Sequence, residues 1–418
     1  MFYTFRYLLL ISLVFTGAAH AGQVLSLAEA ERLAQELDPS SKRLTSLALA
    51  MKERSVADGQ LPDPKFRFGL MNFPTDTFNR DQEPMTQIQL GMQQMIPRGD
   101  SLNIKTRRSL SQASSNEYRA LDRQRLIQKQ VRLKWLELFY WNRAQEVVEK
   151  NRGLFEQLVE VSQYHYASGR RNQQDVLRAQ LELSKLDDRI LEIKTRQEKI
   201  RAELGVLIGL GPVSIHLPEE LPSLELSVSL EQLSGALPQH PKVLVAKAQV
   251  AAGKQGVELA REAYKPGWML GVTYGVRDGQ NPNGSDRPDF LSVGVTVDIP
   301  LFREKRQDRR LAASQLRLGA HKLNMDQKHL DLKQMLERDY AEWQRLEQRN
   351  NLYRDVLMAQ AKQNTEASLF AYQNDRTDFA TLMQARITEL NTRLKSIRIN
   401  VNRVKAQARL HYLSGEEK

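Results

Sequence analysis

The feature that most constrains the fold of this chain is an internal duplication. Short motifs recur in both halves, in the same order and at a nearly constant spacing. The matched pairs are Ser26-Leu27 with Ser229-Leu230, Asp38-Pro39 with His240-Pro241, Ile96-Pro97 with Ile299-Pro300, and Tyr166-Ala-Ser-Gly-Arg170 with Tyr372-Gln-Asn-Asp-Arg376. Collinear matches over most of a chain predict one structural unit that occurs twice. We therefore expect a first repeat over residues 22–210, a proline-containing linker over 211–228 and a second repeat over 229–415.

Within each repeat the period of the apolar residues changes in the same order. A helical pattern from Ser26 onward gives way near Phe66 to alternation of apolar and polar residues, the period of a half-buried strand. In the second repeat this alternation is clearest from Leu291 to Ile299. After Pro97 and Pro300 the helical period returns for about 70 residues, with the heptad spacing of a coiled coil. Each repeat thus predicts an opening helix, two strands around a polar loop, a long helix and a return helix.

The N-terminus has the pattern of a secretory signal peptide. Arg6 supplies the positive start, Leu8 to Phe15 the apolar core, and Ala19-His20-Ala21 the cleavage site, so we expect residues 1–21 to be removed after export. A retained membrane anchor is the alternative, but the apolar run is shorter than the roughly 20 residues that a spanning helix needs. No later segment reaches that length either, so the mature chain can enter a bilayer only as strands.

Four strands cannot close a membrane barrel, because unpaired edges are not tolerated in hydrocarbon. Closure must therefore be intermolecular. The predicted fold class is mainly α with a small membrane β-barrel portion: three chains give a twelve-stranded barrel that continues as a hollow cylinder of twelve helices. The loops Met71 to Pro84 and Gly279 to Pro288, which join the paired strands, are expected to face the cell exterior.

These features together resemble the TolC-like outer-membrane efflux protein family over essentially the whole mature chain. The resemblance rests on the duplicated unit, on the strand-to-helix junctions at Pro97 and Pro300, and on Gly169 followed by Asp175-Val176-Leu177. It implies an outer-membrane homotrimer with a long periplasmic extension. Such a duct takes small toxic compounds, metal ions or polypeptides from an inner-membrane pump through a periplasmic adaptor. Since the chain has no cysteine, it resembles the non-lipidated branch of the family.

The resemblance and the duplication also point to candidate sites at the two hairpin tips. The first tip is Ser168, Gly169 and Arg170, and the second is Asn374, Asp375 and Arg376. We expect the arginines to dock the adaptor, because a guanidinium presents a fork of donors to carboxylates or carbonyls. The alternative is that both arginines are simply solvated.

A periplasmic gate is a further candidate site. Some relatives close their periplasmic mouth with rings of aspartate, but the matching positions here are Thr381 and Gln384. Asp375 and Asp378 are the substitutes available for such a gate.

The sequence offers little for other classes of function. It contains no phosphate-binding loop, no nucleophile elbow and no helical pair of metal-binding histidines, so we expect neither an enzyme nor a cofactor. The net charge of +11 is spread along every helix, which argues against nucleic-acid binding. His165 and the methionines around the first strand pair are more simply read as surface and packing residues than as metal ligands.

The competing function is a periplasmic coiled-coil adaptor or structural interaction protein. An adaptor would show one helical hairpin and a membrane anchor, whereas this sequence shows two hairpins and two amphipathic strand pairs. The sequence identifies neither the exported compound nor the pump.

Overall fold

A computed structural model of the chain describes residues 24–170, 172–211, 215–224 and 229–414. The predicted signal peptide lies outside the described residues, as do parts of the predicted linker. The first half contains α1 (Leu27–Leu37), α2 (Pro39–Asp58), β1 (Lys65–Met71), β2 (Gln87–Ile96), α3 (Ser101–Ala167) and α4 (Gln173–Ile208). The second half contains α5 (Leu230–Ala236), α6 (Pro241–Glu262), β3 (Gly267–Val276), β4 (Phe290–Asp298), α7 (Gln307–Leu352), α8 (Met358–Gln373) and α9 (Phe379–Ser414).

The element order repeats as the sequence predicts, with two differences. The opening helix is split in both repeats, into α1 and α2 and into α5 and α6. In the first repeat the split lies at Asp38, whose side chain caps α2 by accepting a hydrogen bond from the Ser41 amide at 2.9 Å. The long helix of the second repeat is interrupted by a π-helical turn at Tyr353–Leu357, whereas α3 runs through 67 residues without a break. A π turn inserts one residue into the helical hydrogen-bond pattern, which hydrophobic periodicity does not reveal.

Contacts divide the chain into two compact units, and each unit combines segments of both repeats. The first unit takes in the chain up to Leu37, Gln130–Leu224 and Leu346–Lys405. The second takes in Asp38–Lys129, Glu225–Arg345 and the chain from Ala406 on.

The first unit is held by a core along α3, α4, α8 and α9. Its largest fully buried side chains include Trp135, Phe155 and Phe379. The Trp135 indole donates a hydrogen bond to the Leu25 carbonyl at 3.1 Å, which ties the start of the described chain to α3. Burial of these rings removes a large apolar area from water and dominates the stability of the unit.

Several ion pairs join different helices of the first unit, among them those of Arg132 and Glu137. Arg132 makes a two-pronged pair with Glu31 at 2.6 and 3.0 Å. Glu137 accepts from Arg398 and from Lys405. Burial works to raise the pKa of the Glu137 carboxyl, but the hydrogen bonds and charges of Lys405 and Arg398 outweigh it and hold that pKa below its ordinary value.

The second unit contains one four-stranded antiparallel sheet in the order β1-β2-β3-β4. The two hairpins meet at β2 and β3, where Ile88 pairs with Val276 and Ile96 with Trp268. Consecutive hairpins from the two repeats therefore form one sheet, as the duplicated strand pairs allow.

The helices of the second unit follow the same order as the strands. Thr106 of α3 donates to the Ser55 carbonyl of α2, Arg107 of α3 to Gln255 of α6, and Tyr264 after α6 to Asp308 of α7. The order α2-α3-α6-α7 makes α2 and α7 the outer helices of the row, and along the chain α2 leads into the edge strand β1 and the edge strand β4 leads into α7. A small core of α5, α6, α7 and the end of α9 completes the unit, with Leu233, Leu237, Leu332, Leu336 and Leu410 at its centre.

Among the helices that the structure describes, none combines the length and apolar character needed to cross a membrane.

Candidate functional site

One face of the four-stranded sheet is apolar and exposed. Two rows of side chains cross all four strands, and every member is between 41% and 75% exposed. The rows are Phe66, Met92, Val272 and Val293, followed by Phe68, Leu90, Tyr274 and Leu291. Soluble proteins seldom expose contiguous apolar patches of this kind, which mark contact with a membrane or a partner. Strands of 7 to 10 residues are close to the length that crosses a bilayer when tilted.

The opposite face of the sheet is mainly polar or glycine, and its apolar members are Met71, Met95, Met269 and Phe290. Its polar members include Arg67, Gln93, Thr273 and Ser292, with Gly91 and Gly271 between them. The two faces thus suit two different solvents, as strand alternation predicts. Within the described chain β1 and β4 each pair on one side only, so both edges keep unused backbone donors and acceptors.

The Pro97 junction joins β2 to α3 through a tight turn that requires glycine. Gly99 has φ +48°, and a Cβ at this position would lie 1.8 Å from Oε2 of Glu262. That carboxylate oxygen accepts the Asp100 amide at 2.8 Å, and Arg98 donates to the Ala263 carbonyl at 2.8 Å. The junction therefore fixes the start of α3 against the end of α6.

The Pro300 junction is longer and exposes apolar side chains. Arg303 donates to the Pro300 carbonyl at 2.9 Å, while Leu301 is 73% and Phe302 82% exposed. Apolar side chains next to the end of a strand are suited to the membrane interface.

The two strand loops hold each other in place. Arg80 pairs with Asp278, and Arg287 donates to the Asp81 carbonyl at 3.1 Å. Arg277 donates to the Pro84 carbonyl at 3.0 Å. The contacts join loops from different repeats, so the loops form one ordered surface at the hairpin ends of the sheet.

The two hairpin tips have the same backbone geometry. Amides of Ser168, Gly169 and Arg170 donate to carbonyls four, three and five residues back, and amides of Asn374, Asp375 and Arg376 repeat this pattern. Gly169 has φ +69° and Asp375 has φ +55°, whereas Asn374 has φ −101°. The left-handed residue of the second tip is therefore the aspartate, which tolerates this conformation better than most residues.

All six tip residues are exposed, and the structure adds an aromatic member to each tip. Tyr164 is 70% and Phe370 65% exposed, and both stand six residues before the tip arginine. The guanidinium groups of Arg170 and Arg376 make no ion pair or side-chain hydrogen bond with any described residue. Sequence reasoning did not single out Tyr164 and Phe370, although the offset that relates the arginines also relates this aromatic pair.

The two gate candidates differ in their surroundings. Asp378 caps α9, accepting the Thr381 amide at 2.8 Å and the Thr381 hydroxyl at 2.6 Å. These hydrogen bonds, with the nearby charge of Arg178, hold the pKa of the Asp378 carboxyl below its ordinary value. Asp378 therefore stays ionised at neutral pH. Asp375 occupies the turn itself.

Comparison with known proteins agrees with this geometry. Residues 233–416 match the sequence profile of the family described as Outer membrane efflux protein. No curated protein matches the chain significantly.

Several solved structures share the fold over most of the chain. The outer membrane protein VceC from Vibrio cholerae superposes with a TM-score of 0.78 at 16% identity, covering 93% of this chain and 96% of its own. The CmeC outer membrane channel of Campylobacter jejuni gives 0.77 at 13% identity, covering 93% and 85%. The open state of the MtrE outer membrane channel of Neisseria gonorrhoeae gives 0.71 at 14% identity, covering 93% and 88%. At these identities the likeness establishes the fold.

Proposed function

We propose that this chain, which belongs to the TolC-like outer membrane efflux protein family, is the outer-membrane channel component of a tripartite efflux or type I secretion system. The family match and the shared fold confirm the resemblance and the mainly helical fold with few strands that was inferred from the sequence. The observation that carries the proposal is the sheet with one exposed apolar face and two edges unpaired within the described chain, together with the duplicated long helices. The match to a family of channels also fits the lack of enzyme motifs in the sequence.

The proposed assembly is a homotrimer in the outer membrane. Each chain contributes its four strands to a twelve-stranded barrel in contact with lipid, and its helices to a twelve-helix cylinder in the periplasm. Closure by further copies would pair β1 of one chain with β4 of the next, which uses the free edge of both strands.

The helices next to the edge strands support this ring. On α7, Leu316, Leu323 and Leu330 lie at heptad spacing and are 58% to 76% exposed. On α2, Leu49 and Val56 lie seven residues apart and are 56% and 62% exposed. Exposed heptad stripes on the two edge helices are suited to pack against each other across a ring of copies.

The loops are proposed to face the cell exterior. An epitope inserted near Asn79 or Asn283 should bind antibody on intact cells. Labelling only after the outer membrane is permeabilised would contradict this topology.

The tips are proposed to dock a periplasmic adaptor that connects to an inner-membrane pump. Each tip presents a guanidinium and an exposed ring, the residue types that most often dominate protein interfaces. A trimer would present six copies of this pair of side chains, three from each tip.

The docking proposal is tested by charge reversal of both tips. Arg170→Glu combined with Arg376→Glu should abolish efflux while leaving trimer formation and membrane insertion intact, since these exposed charges contribute little to folding. Reversal of Lys199 and Arg393, exposed residues of α4 and α9 that lie away from the turns, is the control. Normal efflux by the tip variant would contradict docking at the tips.

Asp375 and Asp378 are proposed to give the periplasmic opening its negative charge. Asp378→Asn with Asp375→Asn should weaken block of the channel by a multivalent cation added on the periplasmic side. Unchanged block would place the gate elsewhere.

A further inference from the structure

The described residues of the second unit line a strongly basic, open cavity of about 840 Å³ on one side of its four helices. Its lining includes five arginines and one histidine, and none of the described residues that line it is Asp or Glu. The basic residues are Arg54 from α2, Arg108 and Arg119 from α3, and Arg310, Arg317 and His321 from α7.

Most of this charge is not neutralised within the chain. Arg54 lies 3.5 Å from Asp58, and Arg119 donates to the Asn116 side chain at 3.5 Å. The guanidinium groups of Arg108, Arg310 and Arg317 have no ion pair or hydrogen bond with any residue that the structure describes. Like charges gathered in a cleft repel one another and concentrate the field in it, so they attract anions from solution.

The floor of the cavity is apolar and made of small residues of α6. They are Ala252, Gly253, Gly256 and Ala260, with Leu259 beside them. A Cβ added at Gly256 would meet no atom within 4 Å, so the space above this residue is open. An apolar floor under a cationic rim matches an organic anion that has a flat or aliphatic body.

The position of the cavity also indicates which side of the proposed ring it faces. Residues from α2, α3, α6 and α7 line the same cavity, although α2 and α7 are the two outer helices of the row. Four helices in a row can line one cavity only if they curve around it, so the cavity occupies the concave side. In a closed ring of copies the concave side faces the axis.

We propose that this basic cavity is a binding site for organic anions inside the duct and makes anionic amphiphiles the preferred exported class. The role of this site in transport rests on the proposed channel function, whereas its affinity for organic anions does not. Arg108 and Arg119 lie about 17 Å apart along α3. Guanidinium groups spread over this distance can engage the anionic group of a compound whose apolar body lies on the floor of the cavity. In a trimer three such cavities would form a positive belt around the channel.

The binding test uses pyrene-1-sulfonate as the anionic probe and 1-pyrenemethylamine as its cationic counterpart. The protein is held in nanodiscs of zwitterionic lipid, with empty nanodiscs as the blank, and binding is followed by fluorescence anisotropy. The sulfonate should bind in a salt-dependent manner and the amine should not. Arg108→Gln with Arg317→Gln should raise the Kd of the sulfonate at least about tenfold, since two charge-assisted contacts are lost.

Two further variants keep the test decisive. Lys105→Gln with Lys322→Gln removes the same charge from α3 and α7 outside the cavity and should leave the Kd within about twofold. Gly256→Leu, whose Cβ would meet no atom within 4 Å, places a side chain in the open space and should also abolish binding. Equal binding of sulfonate and amine, or unchanged binding in both the double arginine variant and Gly256→Leu, would overturn the proposal.

Conductance in a planar bilayer separates this inference from the proposed function. Wild-type channels should prefer anions in the reversal potential under a salt gradient, and the double arginine variant should shift that potential toward cation preference. A channel that conducts without this shift contradicts the inference and leaves the proposed function standing. A chain that binds the sulfonate but forms no channel contradicts the proposed function instead.

Discussion

Among the described glycines, Gly99 combines a left-handed backbone with the shortest contact for an added Cβ, so Gly99→Ala should be strongly destabilising. The φ of +48° at Gly99 lies in the left-handed region, where an alanine costs about 1–2 kcal/mol relative to glycine. The new Cβ would also lie 1.8 Å from Oε2 of Glu262, so that carboxylate must move and release the Asp100 amide that it accepts at 2.8 Å. Exchanging this hydrogen bond to a carboxylate for one to water costs about 1–3 kcal/mol, which gives a loss of about 2–5 kcal/mol for Gly99→Ala.

Two other glycines separate the backbone contribution from the steric one. Gly169 has φ +69° but no atom within 4 Å of an added Cβ, so Gly169→Ala should lose only the backbone contribution of about 1–2 kcal/mol. Gly153 lies inside α3 with open space around its Cβ, so Gly153→Ala should gain up to about 1 kcal/mol from helix propensity.

The three variants are compared by thermal unfolding of the detergent-solubilised protein at one scan rate, followed by circular dichroism. Gly99→Ala should unfold about 2–6 °C below wild type, Gly169→Ala less far below, and Gly153→Ala at or above it. If Gly99→Ala were no less stable than Gly169→Ala, the contact with Glu262 would not hold the junction.

Two further predictions concern the matched caps of α2 and α6. His240 is 1% exposed, accepts the Lys242 amide through Nδ1 at 3.2 Å, and burial lowers its pKa to about 4. In the unfolded chain the imidazole of His240 takes up a proton near pH 6.5. The free energy of unfolding should therefore fall by about 3 kcal/mol as the pH drops from 6.5 to 4. His240→Asn should flatten this part of a plot of melting temperature against pH, and an unchanged slope would contradict the assignment. Asp38 accepts hydrogen bonds from Arg123 at 2.8 and 2.9 Å, which lower the pKa of the Asp38 carboxyl. The contribution of this carboxylate to stability is therefore present at neutral pH and is lost only in acid, below the ordinary aspartate pKa of 3.8. Asp38→Ala should cost about 3–5 kcal/mol at pH 7 by leaving Arg123 without its partner, and Asp38→Asn less because it keeps the cap; equal melting temperatures for the two variants would argue against a role for the charge.

The duplicated order of elements could be predicted because its signals are local. Alternation over Phe66 to Leu70 and Leu291 to Ile299 indicates strands wherever the chain places them, and an apolar heptad indicates a long helix. The tip turns could be located because Gly169 and Asp375 belong to a repeated motif. The left-handed residue of the second tip could not be chosen between Asn374 and Asp375, since both tolerate that conformation.

Features that depend on distant parts of the chain were beyond such signals. The pairing of β2 with β3 joins strands from different repeats, and no turn sets its register. The basic cavity gathers Arg54, Arg108 and Arg317 from three helices, so its charge is visible only after the helices are placed. The exposed stripe of Leu316, Leu323 and Leu330 could not be predicted from the sequence for a different reason. It lies beside the core heptad of α7, and both stripes have the same period.

Closure of the chain into a ring of three copies is tested most directly by covalent linkage of its two edges. Because the sequence contains no cysteine, Val56→Cys on α2 and Leu316→Cys on α7 introduce the only thiols, with Leu49→Cys and Leu323→Cys as a second pair. A bismaleimide applied to membranes should leave each single variant monomeric on a denaturing gel, because the contact joins unlike edges. A chain that carries both thiols of a pair should give dimers and trimers and nothing larger. Linkage within the single variants, a ladder that continues past three, or no linkage with either pair would contradict the ring.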